Sequence, residues 1–99
     1  MIIITQSESQ AREWIKKEFK NSVILKIPDY KVTGLSYAAG YPDFLVIHSG
    51  KVWFIEVKTW KAKTYTPAQK HKFKEIIEAG GIIYVFLKKK RGHDYFLYK

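Results

Sequence analysis

Apolar residues recur along this chain at two spacings, and the switches between them mark the elements. From Ser7 to Lys20 the apolar positions Ala11, Trp14, Ile15 and Phe19 fall three or four apart. That is the period of a helix with one buried stripe, and Lys16, Lys17 and Lys20 occupy its polar positions. Thr5, with Glu8 three residues on, has the form of a capping box at the start of this helix. Ser22 to Ile27 reads as a strand closed by Pro28-Asp29, and residues 29–42 form an irregular stretch containing Gly34, Gly40 and Pro42. Phe44–His48 and Lys51–Lys58 read as two strands joined by Ser49-Gly50, a two-residue hairpin signal. Trp60 to Tyr65 is a basic, aromatic loop. A second helix is predicted from Pro67 to about Ala79, with Thr66 as N-cap, Pro67 at the first position and Gly80-Gly81 at its end. Ile82–Leu87 is a continuous apolar run of strand length, which suits a strand buried on both faces. After Lys88-Lys89-Lys90-Arg91 come a Gly92-His93-Asp94 turn and a last short strand, Tyr95–Tyr98. The order αβββαββ predicts a mixed α/β sheet flanked by helices.

Ninety-nine residues make one domain, 1–99, and no repeat or composition break divides it. The apolar fraction of 46%, with six Phe, seven Tyr and three Trp, supplies a core and excludes disorder. The absence of cysteine excludes a disulfide scaffold, a thiolate zinc site and a cysteine nucleophile. No apolar run is long enough to span a membrane, and Met1-Ile2-Ile3-Ile4-Thr5-Gln6 lacks a basic leader, so an intracellular, unsecreted protein is expected. Charge changes the picture most. Eighteen Lys and Arg against nine Asp and Glu leave +9, an electrostatic preference for polyanions, nucleic acid first and anionic membrane second.

In so basic a chain, acidic residues that fall together carry information. Asp43 opens one hairpin strand and Glu56 lies near the end of its partner, so a turn at Ser49-Gly50 sets them nearly opposite each other. Side chains alternate along a strand, so Glu56 and Lys58 share a face and Val57 points away. Adjacent carboxylates repel unless a positive charge sits between them. Oxygen ligands alone suit a hard ion, Mg²⁺ or Mn²⁺, in preference to zinc. Lys58 brings a fixed positive charge to wherever a phosphate would lie. The plainer alternative is a Glu–Lys surface strand with a turn-initiating aspartate.

Gly40-Tyr41-Pro42-Asp43, Glu56-Val57-Lys58 and Gln69, with Gly80-Gly81 and an apolar strand after the helix, resemble the PD-(D/E)xK nuclease superfamily. Within it the likeness is to the virus-type replication-repair nucleases and the archaeal Holliday junction resolvases, and it extends over nearly the whole chain. The resemblance implies a restriction-endonuclease-like core, αβββαβ, and a Mg²⁺- or Mn²⁺-dependent endonuclease acting on branched DNA. It implies metal ligands at Asp43, Glu56 and the main chain of Val57. It makes Lys58 the group that activates water and stabilises phosphate charge. A first-helix glutamate and a second-helix glutamine would complete the site. Gln69 matches the glutamine, and Glu8, Glu13 and Glu18 compete for the glutamate position. A core without a separate recognition domain would draw its selectivity from a homodimer.

Helical geometry narrows the glutamates. Glu8 and Glu18 lie on or beside the apolar stripe, while Glu13 points away. Glu8 has two open roles, the capping box with Thr5 and a site carboxylate. Gln69 is equally divided, since Thr66-Pro67-Ala68-Gln69 is itself a capping-box pattern while Gln69 shares the face of Phe73, Ile76 and Ile77. His48, His71 and His93 show no ligand spacing, so exposed or phosphate-contacting positions are expected. Lys61, Lys63, Lys70 and Lys72, with Lys74, form a basic patch into which Trp60 and Tyr65 interleave, offering phosphate contacts and base stacking. Lys88–Arg91 either grips phosphate or keeps a strand end from pairing with another chain. Two other functions stay open: a non-catalytic DNA-binding module on a nuclease fold, and an RNA-binding protein with stacking aromatics.

Overall fold

The computed structural model describes residues 5–28 and 39–99. Its elements are helix α1 (Gln6–Glu18), strands β1 (Val23–Lys26), β2 (Phe44–His48) and β3 (Lys51–Thr59), helix α2 (Pro67–Glu78), and strands β4 (Ile82–Lys88) and β5 (His93–Leu97). The strands form one sheet in the order β1-β2-β3-β4-β5. All neighbours are antiparallel except β3 and β4, which run parallel. A parallel pair needs a crossover, and α2 lies within it. Most of the expected irregular stretch, residues 29–38 with Gly34, lies outside the described residues, as do residues 1–4.

The apolar stripe of α1 is the one its spacing predicts. Ala11, Trp14 and Ile15 are buried against Phe44, Val46, Ile55 and Phe86 of the sheet, with Phe19 packed alongside. On α2, Phe73 is fully buried. Each such large apolar side chain contributes about 1.5–3 kcal/mol by leaving water.

Three turns fix the geometry on which the site depends. Ser49 and Gly50 both have positive φ, 52° and 73°, which is the twist-matched two-residue hairpin and sets the β2–β3 register. Helix α2 ends in a Schellman motif: Gly81 N–H donates to the Ile76 carbonyl (2.8 Å) and Gly80 N–H to that of Ile77 (3.0 Å), with Gly80 at φ 93°. At its other end, Gly40 (φ 85°) presses against the helix so closely that a Cβ there would lie 2.3 Å from the Ala68 carbonyl oxygen. The approach to Asp43 is thereby clamped to the first turn of α2.

Boundaries differ from expectation chiefly at the end of the chain. His93 and Asp94 belong to β5, pairing with Lys88 and Leu87, and the turn closes at Gly92 (φ 71°). The cause is packing: the His93 ring stacks on Phe86 at 4.6 Å and meets Trp14 edge-on.

Candidate active site

The hairpin register places Phe44 opposite Ile55, so the next position outward sets Asp43 against Glu56. Val57 N–H donates to Asp43 Oδ2 at 2.7 Å. Glu56 is buried, and its Oε2 receives the Gln69 side-chain amide (2.9 Å) and lies 3.3 Å from the Lys58 ammonium. Lys58 Nζ also donates to Gln69 Oε1 (3.1 Å) and the Thr64 carbonyl (2.8 Å), and it stands 4.5 Å from the centre of the Tyr65 ring. Gln69 serves both of its open roles at once, because Oε1 also accepts Thr66 N–H (3.0 Å) and completes the capping box of α2.

Glu8 is likewise double. Its Oε1 accepts Thr5 N–H (2.9 Å) in the capping box of α1, and its Oε2 pairs with Lys26 Nζ at 3.0 Å. The Lys26 ammonium donates to the Ile27 carbonyl (2.8 Å) and stands 3.8 Å from Asp43 Oδ1. Glu8 and Asp43 therefore meet through a lysine whose place in the sequence marks it only as a strand residue. Glu13 is exposed and pairs with Lys16.

Burial governs the protonation of this cluster. Glu56 is pushed up to about 9, first by loss of water and then by the Asp43 carboxylate, both outweighing the nearby Lys58. Asp43 is also raised, by burial above all, against the opposing effects of the Glu56 hydrogen bond, Val57 N–H and Lys26. Glu8 moves down: burial is the largest single influence and acts upward, but the Thr5 N–H bond and Lys26 together exceed it.

A model of the nuclease-related domain family (NERD) matches residues 5–99. The chain belongs to the nuclease-related domain family. No curated protein matches it in sequence. Its fold is similar to that of the Holliday junction resolvase Hjc of the archaeal hyperthermophile Archaeoglobus fulgidus, with a TM-score of 0.64 and 20% identity over 93% of this chain and 74% of that one. The expected restriction-endonuclease-like architecture is thus observed: a mixed five-stranded sheet flanked by two helices.

In this nuclease-related domain the donor set suits a hard divalent ion. Asp43 and Glu56 supply oxygens, and the ionised Glu56 has a buried Oε1 that meets no donor among the described residues, whereas the protonated carboxyl can share a hydrogen bond with Asp43. Among the described residues, however, no three His, Asp or Glu side chains form a group that could hold an ion, and Lys26 stands between Glu8 and Asp43. Of the DNA-contact candidates, Lys61, Lys63 and Lys70 are exposed. Lys72 is engaged with Glu75 (2.9 Å) and with the Tyr41 ring. Tyr65 packs edge-on to Phe73 and against Tyr98, which gives its ring a structural role and leaves Trp60 the more accessible aromatic. Of the histidines, His71 and His93 are exposed as expected, the His93 ring also stacking on Phe86, while His48 is half-buried against Phe19. No helix among the described residues is long and apolar enough to cross a membrane.

Proposed function

We propose that the domain is a Mg²⁺- or Mn²⁺-dependent, structure-selective DNA endonuclease, close in kind to the virus-type replication-repair nucleases and the archaeal Holliday junction resolvases, working as a homodimer on branched DNA. The observation that carries this reading is half-buried Asp43 beside buried Glu56 and Lys58, with one oxygen of the ionised Glu56 meeting no donor among the described residues, at the end of the β2–β3 hairpin. Asp43, Glu56 and the main chain of Val57 would hold the ion, with Glu8 completing the set once Lys26 moves aside. When bound, the ion supplies Lewis acidity that lowers the pKa of water and offsets charge on the scissile phosphate. Lys58 stabilises the charge that develops on the phosphate oxygens. Gln69 holds Glu56 and Lys58 in register by bonding both, and it is itself fixed to the first turn of α2. The homodimer is supported by exposed apolar side chains, Val23, Leu25, Ile47 and Val52, at the β1 side of the sheet.

The test is direct. Four-way junction, flap, duplex and single-stranded DNA are incubated with the protein in Mg²⁺, Ca²⁺ or EDTA. Cleavage should need Mg²⁺ or Mn²⁺ and favour branched substrates. Asp43→Ala and Glu56→Ala should each abolish it while DNA binding persists or strengthens, since each removes a negative charge near phosphate. Near-wild-type cleavage by either variant overturns the assignment. Lys26, seated between Glu8 and Asp43, favours one second reading, a non-catalytic DNA-binding module, and binding without cleavage of any substrate would select it.

A further inference from the structure

Beyond the carboxylate cluster, the C-terminal ends of β3 and β4 and the first turn of α1 enclose an open cavity of about 330 Å³. Trp60, Lys61, Lys88 and Lys90 line it, and Gln6 and Ser7 close it from the helix side. Trp60 N–H donates to the Lys88 carbonyl (2.9 Å), which holds the residue at the strand end, yet its side chain stays 40% exposed. Lys61 and Lys90 place their ammonium groups 5.1 and 4.7 Å from the indole. Lys89 also lines the cavity but is paired with Asp94. Among the described residues Lys61, Lys88 and Lys90 meet no carboxylate.

An exposed indole with ammonium groups over its ring has the chemistry of a platform for a nucleotide. A base takes a lysine's place over the ring, and the lysines then meet the phosphates on either side. An isolated phosphate would use the lysines and leave the indole idle. A base paired within a duplex has both faces stacked already, so stacking on the indole favours an unpaired nucleotide. The volume lies at the small end of ligand-sized cavities. The position is also suitable. Trp60 follows Glu56 by four residues, at most about 13 Å along an extended chain. A stacked strand covers that distance in about four nucleotides.

We propose that this cavity is a subsite for an unpaired DNA nucleotide next to the cleavage centre, with the base on Trp60 and the flanking phosphates on Lys61, Lys88 and Lys90. It rests on the reading of the domain as a DNA-acting nuclease, and it adds how a branched substrate would be told from a duplex.

Fluorescence anisotropy in EDTA, with labelled splayed-arm DNA and a blunt duplex of equal length, tests it. Trp60→Ala should weaken the splayed arm at least about fivefold, and change the duplex by less than twofold. Trp60→Phe should keep most of the affinity. Lys90→Gln should lower the salt slope on the splayed arm by about one. Equal losses on both substrates, or none, overturn the subsite. If Trp60→Ala lowers the melting temperature, Trp60→Phe and Lys90→Gln decide, and an unchanged slope with Lys90→Gln overturns it. Tighter binding of an RNA arm than of the DNA arm overturns the assignment to DNA. Cleavage in Mg²⁺ is scored separately. Cleavage without a Trp60-dependent preference removes the subsite alone, whereas a selective Trp60 loss without any cleavage keeps the subsite and removes the nuclease reading.

Discussion

Glu56 carries the strongest conflict in the molecule. One of its oxygens is held by Lys58 and Gln69, while the other, once ionised, is buried with no donor among the described residues. In the ion-free fold its carboxyl keeps its proton up to about pH 9, against an ordinary value of 4.5. Between those values the folded state binds the extra proton, so stability is greatest at low pH and declines as pH rises through the window. Glu56→Gln, neutral throughout, should flatten that decline and raise Tm at pH 8 in EDTA by about 5 °C or more, read by calorimetry. A Tm that falls would show that the carboxylate is well solvated after all. Lys26 gives the complementary prediction. With its partner Glu8 also largely buried, Lys26→Met should cost about 3 kcal/mol without metal by leaving acidic groups unpaired. Ca²⁺ should then raise Tm more in the variant than in the wild type, because the ion no longer competes with an ammonium group; an equal rise would mean the two do not share a site. The contrast between these residues marks what sequence conveys. Asp43, Glu56 and Lys58 are legible because a two-residue turn fixes their register and strand alternation fixes their faces. Lys26 is not, since a lysine ending Val23-Ile24-Leu25 reads as a solvent-facing residue. Only the packing of α1 against β1 and β2 brings it between two carboxylates.

The two helices show a shared economy at the element scale. Each opens with a capping box, and in each the side chain that caps the backbone also reaches the site: Glu8 to Lys26, and Gln69 to Glu56 and Lys58. A capping pattern fixes only the local bond, so sequence alone could not separate the two roles; the sheet's position against each helix start joins them. The same reasoning explains why β5 was expected two residues late. Gly92-His93-Asp94 has turn composition, but stacking of His93 on Phe86 draws it into the sheet. Glu8→Gln separates capping from chemistry. Glutamine keeps the capping bond but takes from Lys26 its nearest carboxylate, so Tm should fall, by less than with Lys26→Met because Asp43 and the Ile27 carbonyl stay within reach of the ammonium. Loss of the charge should lower Mg²⁺-dependent cleavage by at least about tenfold if Glu8 joins the ion's ligands. Glu13→Gln, on the exposed side of α1, should leave cleavage unchanged. The reverse pattern would show that α1 presents a different face to the chemistry than the structure places there.

At the scale of the whole molecule, seven of the nine acids are already engaged. Glu8, Asp43 and Glu56 lie in the carboxylate cluster, and Glu13, Glu75, Glu78 and Asp94 pair with neighbouring lysines. The net charge of +9 therefore resides in side chains that have little within the chain to neutralise them. Such surface pairs are worth little individually, so their charges remain available to an approaching polyanion. Exposed Lys61 and Lys63 follow β3 directly beyond Lys58, and Lys70 lies one residue past Gln69, so the basic surface continues from the carboxylate cluster. On the proposed reading this layout draws a phosphate backbone at long range towards the carboxylate cluster. With about six phosphates contacted, the logarithm of duplex affinity should fall against the logarithm of salt with a slope of roughly −5. Replacing Lys61, Lys63 and Lys70 together by alanine should bring that slope down by about 3, each lysine having displaced one counterion. Fluorescence anisotropy between 50 and 200 mM salt, a range over which such contacts are strongly titrated, measures both. A slope near zero in the wild type would assign the basic surface to something other than nucleic acid. An unchanged slope in the triple variant would move the DNA path to another face of the sheet.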